Sequence, residues 1–440
     1  MAAIRCGDTI RISWPKEGPK DAYCVPVSGG QVDERRYYGL DALRGVMMML
    51  GIVIHAAMFY TVMTSEVVPL KDRQTWAVFD VVVGLVHAFR MPSFFLLAGF
   101  FAALLVERYG FRGAFVNRVK RVLLPLVIGL FTVLPITGWF LLSFKFSVDH
   151  DTKLLLTSLE GHRQWAQDFE RQLGGPSPGH LWFLYYLMMF YLLTPLCEAG
   201  LRSLERRGWE AKLQRVAAWR FVPVVLGAWT TLTLWPYRGG LVVGFQHFTP
   251  HLPSLVYYGS FFVVGYAFHR YRAFLVTSER HLGGYVLVSV LLFVVSLAPA
   301  AIDYQEGGRT AWLHWVTISL HGVLTWLLVY AFVGLFQRYL DRDSPWVAYI
   351  SQSSYWVYLV HLPIVSIAAW YLVDYELPAV IKFLVVGSFA TVVAFSSYHY
   401  LVRRTWVSVA LNGRRFSLRW PWLERGDKPY SLSMGEGRDV

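Results

Sequence analysis

The feature that most constrains this chain is its succession of long apolar stretches. They lie near 44–63, 77–106, 122–143, 181–197, 221–236, 254–274, 283–301, 313–336, 347–371 and 378–402. A helix needs about 20 mostly apolar residues to cross the hydrocarbon core of a bilayer. Lipid offers the backbone no hydrogen-bond partners, so such segments satisfy themselves as helices. The expected fold is an all-α, polytopic membrane bundle of about 10 transmembrane helices. Composition agrees: 55% of the 440 residues are hydrophobic and 16% charged, against roughly 25% charged in soluble proteins. A water-soluble enzyme, a disordered chain and a disulfide-rich secreted domain are all excluded. The stretch at 77–106 exceeds one perpendicular span and carries Asp80, His87, Arg90 and Pro92. It is expected to tilt, or to kink at the proline, which cannot donate a backbone hydrogen bond.

The net charge of +12 would suggest nucleic acid in a soluble protein, but here it reads as topology. With the N-terminus inside, thirty lysines and arginines fall on cytoplasmic segments and eight on the opposite side, alternating loop by loop. That bias sets an N-in, C-in orientation in a cell inner (cytoplasmic) membrane, with no nucleic-acid partner. Cys6, Cys24 and Cys197 then face the reducing side, without a disulfide and without metal-ligand spacing. The first ~37 residues lack the apolar core of a cleavable signal. Residues 1–37 are expected to form a cytoplasmic segment, 38–404 the transmembrane domain and 405–440 a basic cytoplasmic tail. That tail carries Trp406, Trp420 and Trp422 and is expected to rest on the headgroups. The outer segment 144–180 reads as a polar cap with a tight turn.

Ionisable groups inside hydrocarbon cost roughly 2.5–3.5 kcal/mol each on insertion scales, so they face a bundle interior or an aqueous cavity. Arg44 and His55 stand 11 positions apart, about three helical turns, so they share a face within ~20° and lie ~16 Å apart along the axis. A fixed cation at the mouth and an imidazole deeper in suit an anionic ligand; the structural alternative is a snorkelling Arg44 and a helix-bridging His55. Arg90 beside Pro92 either occupies the carbonyl freed by the proline, holds a carboxylate such as Asp80, or contacts substrate. Arg118 and Arg121 lie one turn apart before the third stretch. They form a two-pronged cation suited to phosphate, or an ordinary inner-face anchor. His180 and Trp182 open the fourth helix at the outer face. His361 reaches a depth comparable to His55.

Leu40-Asp41-Ala42-Leu43-Arg44-Gly45 followed by His55 resembles the first-helix signature of the membrane acyltransferase-3 superfamily, an arginine with ten intervening residues before a histidine. Phe89-Arg90-Met91-Pro92-Ser93-Phe94-Phe95, Arg118-Val119-Lys120-Arg121, Gly179-His180-Leu181-Trp182-Phe183-Leu184 and the stretch from Ser354 to His361 are similar to its later blocks, in the family's order. The wording is closest to the glucan succinyltransferase branch. Ala98 and Ala42 depart from it, standing where many relatives have serine and glycine.

The resemblance implies transfer of an acyl group, such as acetyl or succinyl, from cytosolic acyl-CoA to hydroxyls of an extracytoplasmic glycan or other carbohydrate. Arg118, Arg121 and Arg44 would then hold the CoA phosphates. His55 would act as general base or acyl carrier, with Arg44 and His361 beside it as catalytic residues. Arg90, His180 and Trp182 would meet the acceptor. The donor is acyl-CoA, no metal is expected, and the implied partners are the carbohydrate acceptor, the lipid bilayer and glycan-synthesis proteins. Some relatives carry an added esterase-like domain; here the membrane part or a partner is expected to complete the transfer. The rival class is a transporter or flippase of an anionic or lipid-linked substrate. It is disfavoured by the lack of an inverted repeat or paired broken helices.

Overall fold

The computed structural model describes strand residues 2–6, 9–13 and 23–26, and residues 37–63, 70–149, 177–242, 248–418 and 420. Contacts divide the chain into Met1–Arg36 and Tyr37–Val440. The first unit holds an antiparallel sheet of β1 (Ala2–Cys6), β2 (Thr9–Ser13) and β3 (Tyr23–Pro26), in register Cys6 opposite Thr9 and Arg11 opposite Cys24. This small sheet stands in the segment before the apolar runs, and the all-α expectation holds for the unit that follows. The alternation Thr9-Ile10-Arg11-Ile12-Ser13 is its period-two signal.

The second unit is helical. It opens with α1 (Tyr38–Met58), α2 (Val78–Arg118), α3 (Leu124–Phe131) and α4 (Val133–Asp149). Then come α5 (Trp182–Leu192), α6 (Thr194–Arg206), α7 (Glu210–Ala217), α8 (Val222–Leu234), α9 (Leu252–Arg270) and α10 (Ala273–Arg280). It closes with α11 (Leu282–Glu306), α12 (Ala311–Leu340), α13 (Pro345–Leu372), α14 (Ala379–Ser397) and α15 (Trp406–Asn412).

Among the described residues six helices are long and apolar enough to cross a membrane, or up to eight if each bent pair counts as one span. The pairs are Gly179–Leu192 with Thr194–Arg206, bent by 44°, and Glu210–Ala217 with Val222–Leu234, bent by 93°. The chain is thus a multi-pass helical membrane protein. The expected second span and the first part of the third (122–131) run together as one helical stretch, Val78–Phe131, of 54 residues, and α4 carries the rest. The break in the long stretch is not at Pro92, through which helical dihedrals persist. It comes at Gly110 (φ 66°), in a region where a Cβ would be strained. A π-turn, Val119–Leu123, then joins α2 to α3.

The outer helices show how the bundle is solvated. On α11 the buried residues Tyr285, Ser289, Ser296 and Asp303 form one stripe, while Leu287, Val290, Leu291, Val294 and Val295 are more than half exposed. Small polar groups inside and aliphatic groups outside is the arrangement lipid favours. The inner helices pack closely. Gly99 of α2 lies against the Phe262 carbonyl and Gly265 of α9 against that of Leu96, so a side chain at either position would force these helices apart. Polar pins close the ends. Buried Asp303 accepts from the Gly239 amide at 2.7 Å and meets His314 Nδ1 at 3.0 Å. Lys382 donates to buried Asp72 at 2.8 and 3.0 Å.

Past α14 part of the described tail packs against the helical unit itself. Trp406 is exposed, but the Trp420 ring stacks on His399 at 3.8 Å. Trp422 and residues 150–176 of the outer cap lie outside the described residues.

Candidate active site

One stripe of α1 builds the centre of the site. Arg44, Met47, Gly51 and His55 follow at helical spacing and face α2 and α13. The His55 and His361 rings stand 5.1 Å apart between centroids, and the His180 ring is 5.8 Å from His361 at 89°. Arg90 comes in from α2. Its Nε donates to the Met47 carbonyl at 3.0 Å. A Cβ built on Gly51 would lie 2.7 Å from Arg90 Nη2 and 3.1 Å from His361 Nε2. Both nitrogens therefore converge on the bare backbone of Gly51. His87 and Arg90 each act electrostatically on His55, as do His180 and His361. Four segments distant in sequence thus bring His55, Arg90, His180 and His361 together.

Hydrogen bonds fix which ring nitrogens are available. A carbonyl only accepts, so His361 Nδ1, 2.6 Å from the Tyr358 carbonyl, carries the proton. Its Nε2 keeps a lone pair, and that atom is buried with no hydrogen-bond partner. His180 Nε2 likewise donates to the Leu359 carbonyl at 3.2 Å, leaving buried Nδ1 without a partner. The Tyr358 hydroxyl donates to the His180 carbonyl at 2.7 Å and ties the turn Gly179–Leu181 to α13. Two unpaired imidazole acceptors beside a buried guanidinium are costly to leave empty. The cluster thus presents two hydrogen-bond acceptors and one guanidinium to its interior.

Arg44 forms a second level of the site, about three turns from His55 along α1. It pairs with Asp41 at 3.2 Å, donates to Ser351 Oγ at 3.0 Å and lies over the Phe101 ring at 5.6 Å. Arg118 stacks on the Tyr191 ring at 4.7 Å, its Nε buried and unpaired, and Tyr191 feels both Arg118 and Arg44. Arg121 feels the charges of Arg118 and Arg44 but packs against the backbone of Gly413. The two arginines thus have different immediate partners, the Tyr191 ring for Arg118 and the Gly413 backbone for Arg121.

Other expectations shift. Asp80 does not hold Arg90; its carboxylate accepts from the Val62 and Met63 amides at 2.9 and 3.0 Å. Arg90 takes a carbonyl of the neighbouring helix rather than the one freed by Pro92. Trp182 lies in an aromatic cluster, 5.3 Å from Tyr258 and edge-on to Tyr186 at 5.6 Å. Gly51, Tyr358, Ser351 and Tyr191 join the site only in the folded chain; Gly51 carries a signal as the bare residue one turn before His55, and Tyr358 lies within the block from Ser354 to His361. Among the described residues no group of three or more His, Cys, Asp or Glu could hold a metal ion.

The profile of the acyltransferase-3 family, described as an acyltransferase domain, matches residues 37–399. Glucans biosynthesis protein C of Escherichia coli K12 is 26% identical over 341 residues, covering 76% of this chain and 83% of that protein. The homologue named glucans biosynthesis protein C in Shigella dysenteriae serotype 1 matches at the same 26% over the same shares, and that of another E. coli strain at 27%. No solved structure matches the chain. With the family profile covering nearly the whole helical unit, the chain belongs to the acyltransferase-3 family of membrane acyl-group transferases.

Proposed function

We propose that this protein is an O-acyltransferase that takes an acyl group from acyl-CoA on the cytoplasmic side of the inner membrane and delivers it to a carbohydrate hydroxyl on the far side. In this reading the ten apolar runs are crossings, with both termini inside. The observation that carries it is the convergence of Arg90 and His361 on the bare face of Gly51, with the His55 and His180 rings 5.1 and 5.8 Å from that of His361. A carrier would need charged groups there, but not unpaired imidazole acceptors.

In the reaction, Arg44, Arg118 and Arg121 hold the phosphates of the donor, and the thioester reaches the histidines along the α1 stripe. His55 takes the proton of the acceptor hydroxyl as its oxygen bonds to the thioester carbonyl carbon. His361 Nε2, with its lone pair toward the same space, accepts a hydrogen bond that orients the hydroxyl. Arg90 Nη2 faces the oxyanion as negative charge gathers on the carbonyl oxygen. The C–S bond then breaks, and His55 returns its proton to the leaving thiolate. Transient acylation of His55 uses the same geometry; hydroxylamine trapping of an acyl-imidazole separates the two routes. The name shared by the relatives points to a glucan as the acceptor.

The test is mass spectrometry of periplasmic glycans from cells carrying the wild type or His55→Ala. Acyl substituents that depend on the protein and vanish in the variant, with membrane-inserted protein still present, are expected. Acylation retained in His55→Ala overturns the reading. Solute uptake without acyl-CoA consumption would support the carrier instead.

A further inference from the structure

A cavity of about 310 Å³ lies beyond Arg118, away from the histidine cluster. Two helix breaks create it. One is the elbow of α2 at Gly110, whose two arms supply Ala102, Phe111, Ala114 and Phe115. The other is the joint between α5 and α6, which supplies Tyr191 and Thr194. The walls are aliphatic and aromatic, and the cations that reach them are Arg112 and Arg118. Arg44, which acts on Tyr191 from the α1 side, is not part of the lining. The components therefore run in sequence from His55 along α1 to Arg44, then Arg118 stacked on Tyr191, then the cavity.

We propose that this cavity holds the nucleobase of the acyl donor, the flat adenine ring of a nucleotide-linked thioester. The inference rests on the donor reading above and extends it to a subsite. Three features favour this occupant. The volume sits at the lower end of the roughly 300–1,000 Å³ usual for small-molecule sites. Phe111, Phe115 and Tyr191 present rings, and bases stack on aromatic faces whatever their sequence identity. Arg118 stands at the junction with its Nε buried and unpaired, where a phosphate joined to the base would meet it. A donor lying this way places its charged middle at Arg118 and Arg44 and its thioester end toward His55. A phospholipid tail fits the apolar walls but gives no reason for a guanidinium at the inner end.

The test uses the full-length protein in nanodiscs and isothermal titration with three probes: CoA, adenosine 3′,5′-bisphosphate and 4′-phosphopantetheine. Ala114→Phe fills the cavity. Phe115→Ala, at a partly exposed position, removes one wall with little risk to folding. Each variant is expected to weaken CoA and adenosine 3′,5′-bisphosphate about tenfold, the scale of one lost base stack. The affinity for 4′-phosphopantetheine, which carries no base, is expected to stay at the wild-type value. Equal weakening of all three probes, or CoA affinity retained in both variants, overturns the subsite while leaving the donor reading standing. A phospholipid retained by the wild type and lost from Ala114→Phe, with CoA affinity kept, overturns it likewise. Failure of the wild type to bind CoA at all overturns the donor reading itself.

Discussion

Adding one methyl group at Gly51 should separate catalysis from stability. In Gly51→Ala the new Cβ would sit 2.7 Å from Arg90 Nη2, 3.5 Å from its Cζ and 3.1 Å from His361 Nε2. Arg90 has little room to retreat, because its Nε is held by the Met47 carbonyl at 3.0 Å. Either the guanidinium gives up that charge-assisted bond or the His361 ring turns away from the α1 stripe. A displacement of about 1 Å at a reacting group costs roughly 10²-fold in rate, equivalent to about 2.7 kcal/mol of barrier. Stability should suffer less. Overpacking costs about 1–3 kcal/mol, and alanine regains about 0.8–1 kcal/mol over glycine within a helix. The assay pairs acyl incorporation into glycan by membranes of matched protein content with the thermal unfolding midpoint in detergent. Gly45→Ala is the control: its Cβ would meet Ile350 Cγ2 at 3.0 Å, a milder crowding on the same helix with neither Arg90 nor His361 involved. Gly51→Ala is expected to lose about 10²-fold in transfer while Gly45→Ala stays near the wild type. Transfer by Gly51→Ala above half the wild-type rate would refute the view that Arg90 and His361 share one reacting space. Equal losses in the two variants would refute it too.

Further expectations concern neighbouring groups. His361→Gln keeps a polar side chain but removes the basic ring nitrogen, and transfer should fall by about 10²-fold or more; near-normal turnover in the same glycan assay would remove His361 from the chemistry. Tyr358→Phe deletes the 2.7 Å bond to the His180 carbonyl and should cost about 1 kcal/mol in stability, read as a lowered unfolding midpoint, with transfer reduced less than in His361→Gln. Lys382→Met strands the buried Asp72 carboxylate and should destabilise by about 3–5 kcal/mol, whereas the double variant Asp72→Leu/Lys382→Met should recover most of the loss. A single variant as stable as the double one would show that the pair is not buried as a charged unit.

Much of this protein was legible along one dimension. The apolar runs are a local property, because a lipid-facing segment must close its own backbone hydrogen bonds. The Arg44–His55 face is equally local, since helical geometry alone aligns positions 11 apart. What escaped the sequence was the joining of segments. The stretch 78–131 reads as two spans with a proline kink, yet its break falls at Gly110, because neighbouring helices can hold a helix through a proline while a left-handed φ must interrupt it. The N-terminal sheet went unread because short alternating runs in a polar segment give only a weak period-two signal.

The sequence by itself determined that this is a multi-pass helical protein, that charge is scarce within it, and that arginines and histidines occupy particular helix faces. Only the tertiary structure decided that His180, on a short turn, and His361, in α13, meet His55, and that Arg90 reaches across to Met47 and Gly51 instead of pairing with Asp80. The reason is physical. Spacing within a helix is set by its pitch, whereas contact between helices depends on rotation, tilt and break points. Those are fixed by close packing at glycines such as Gly99 and Gly265 and by the turns that aim each helix.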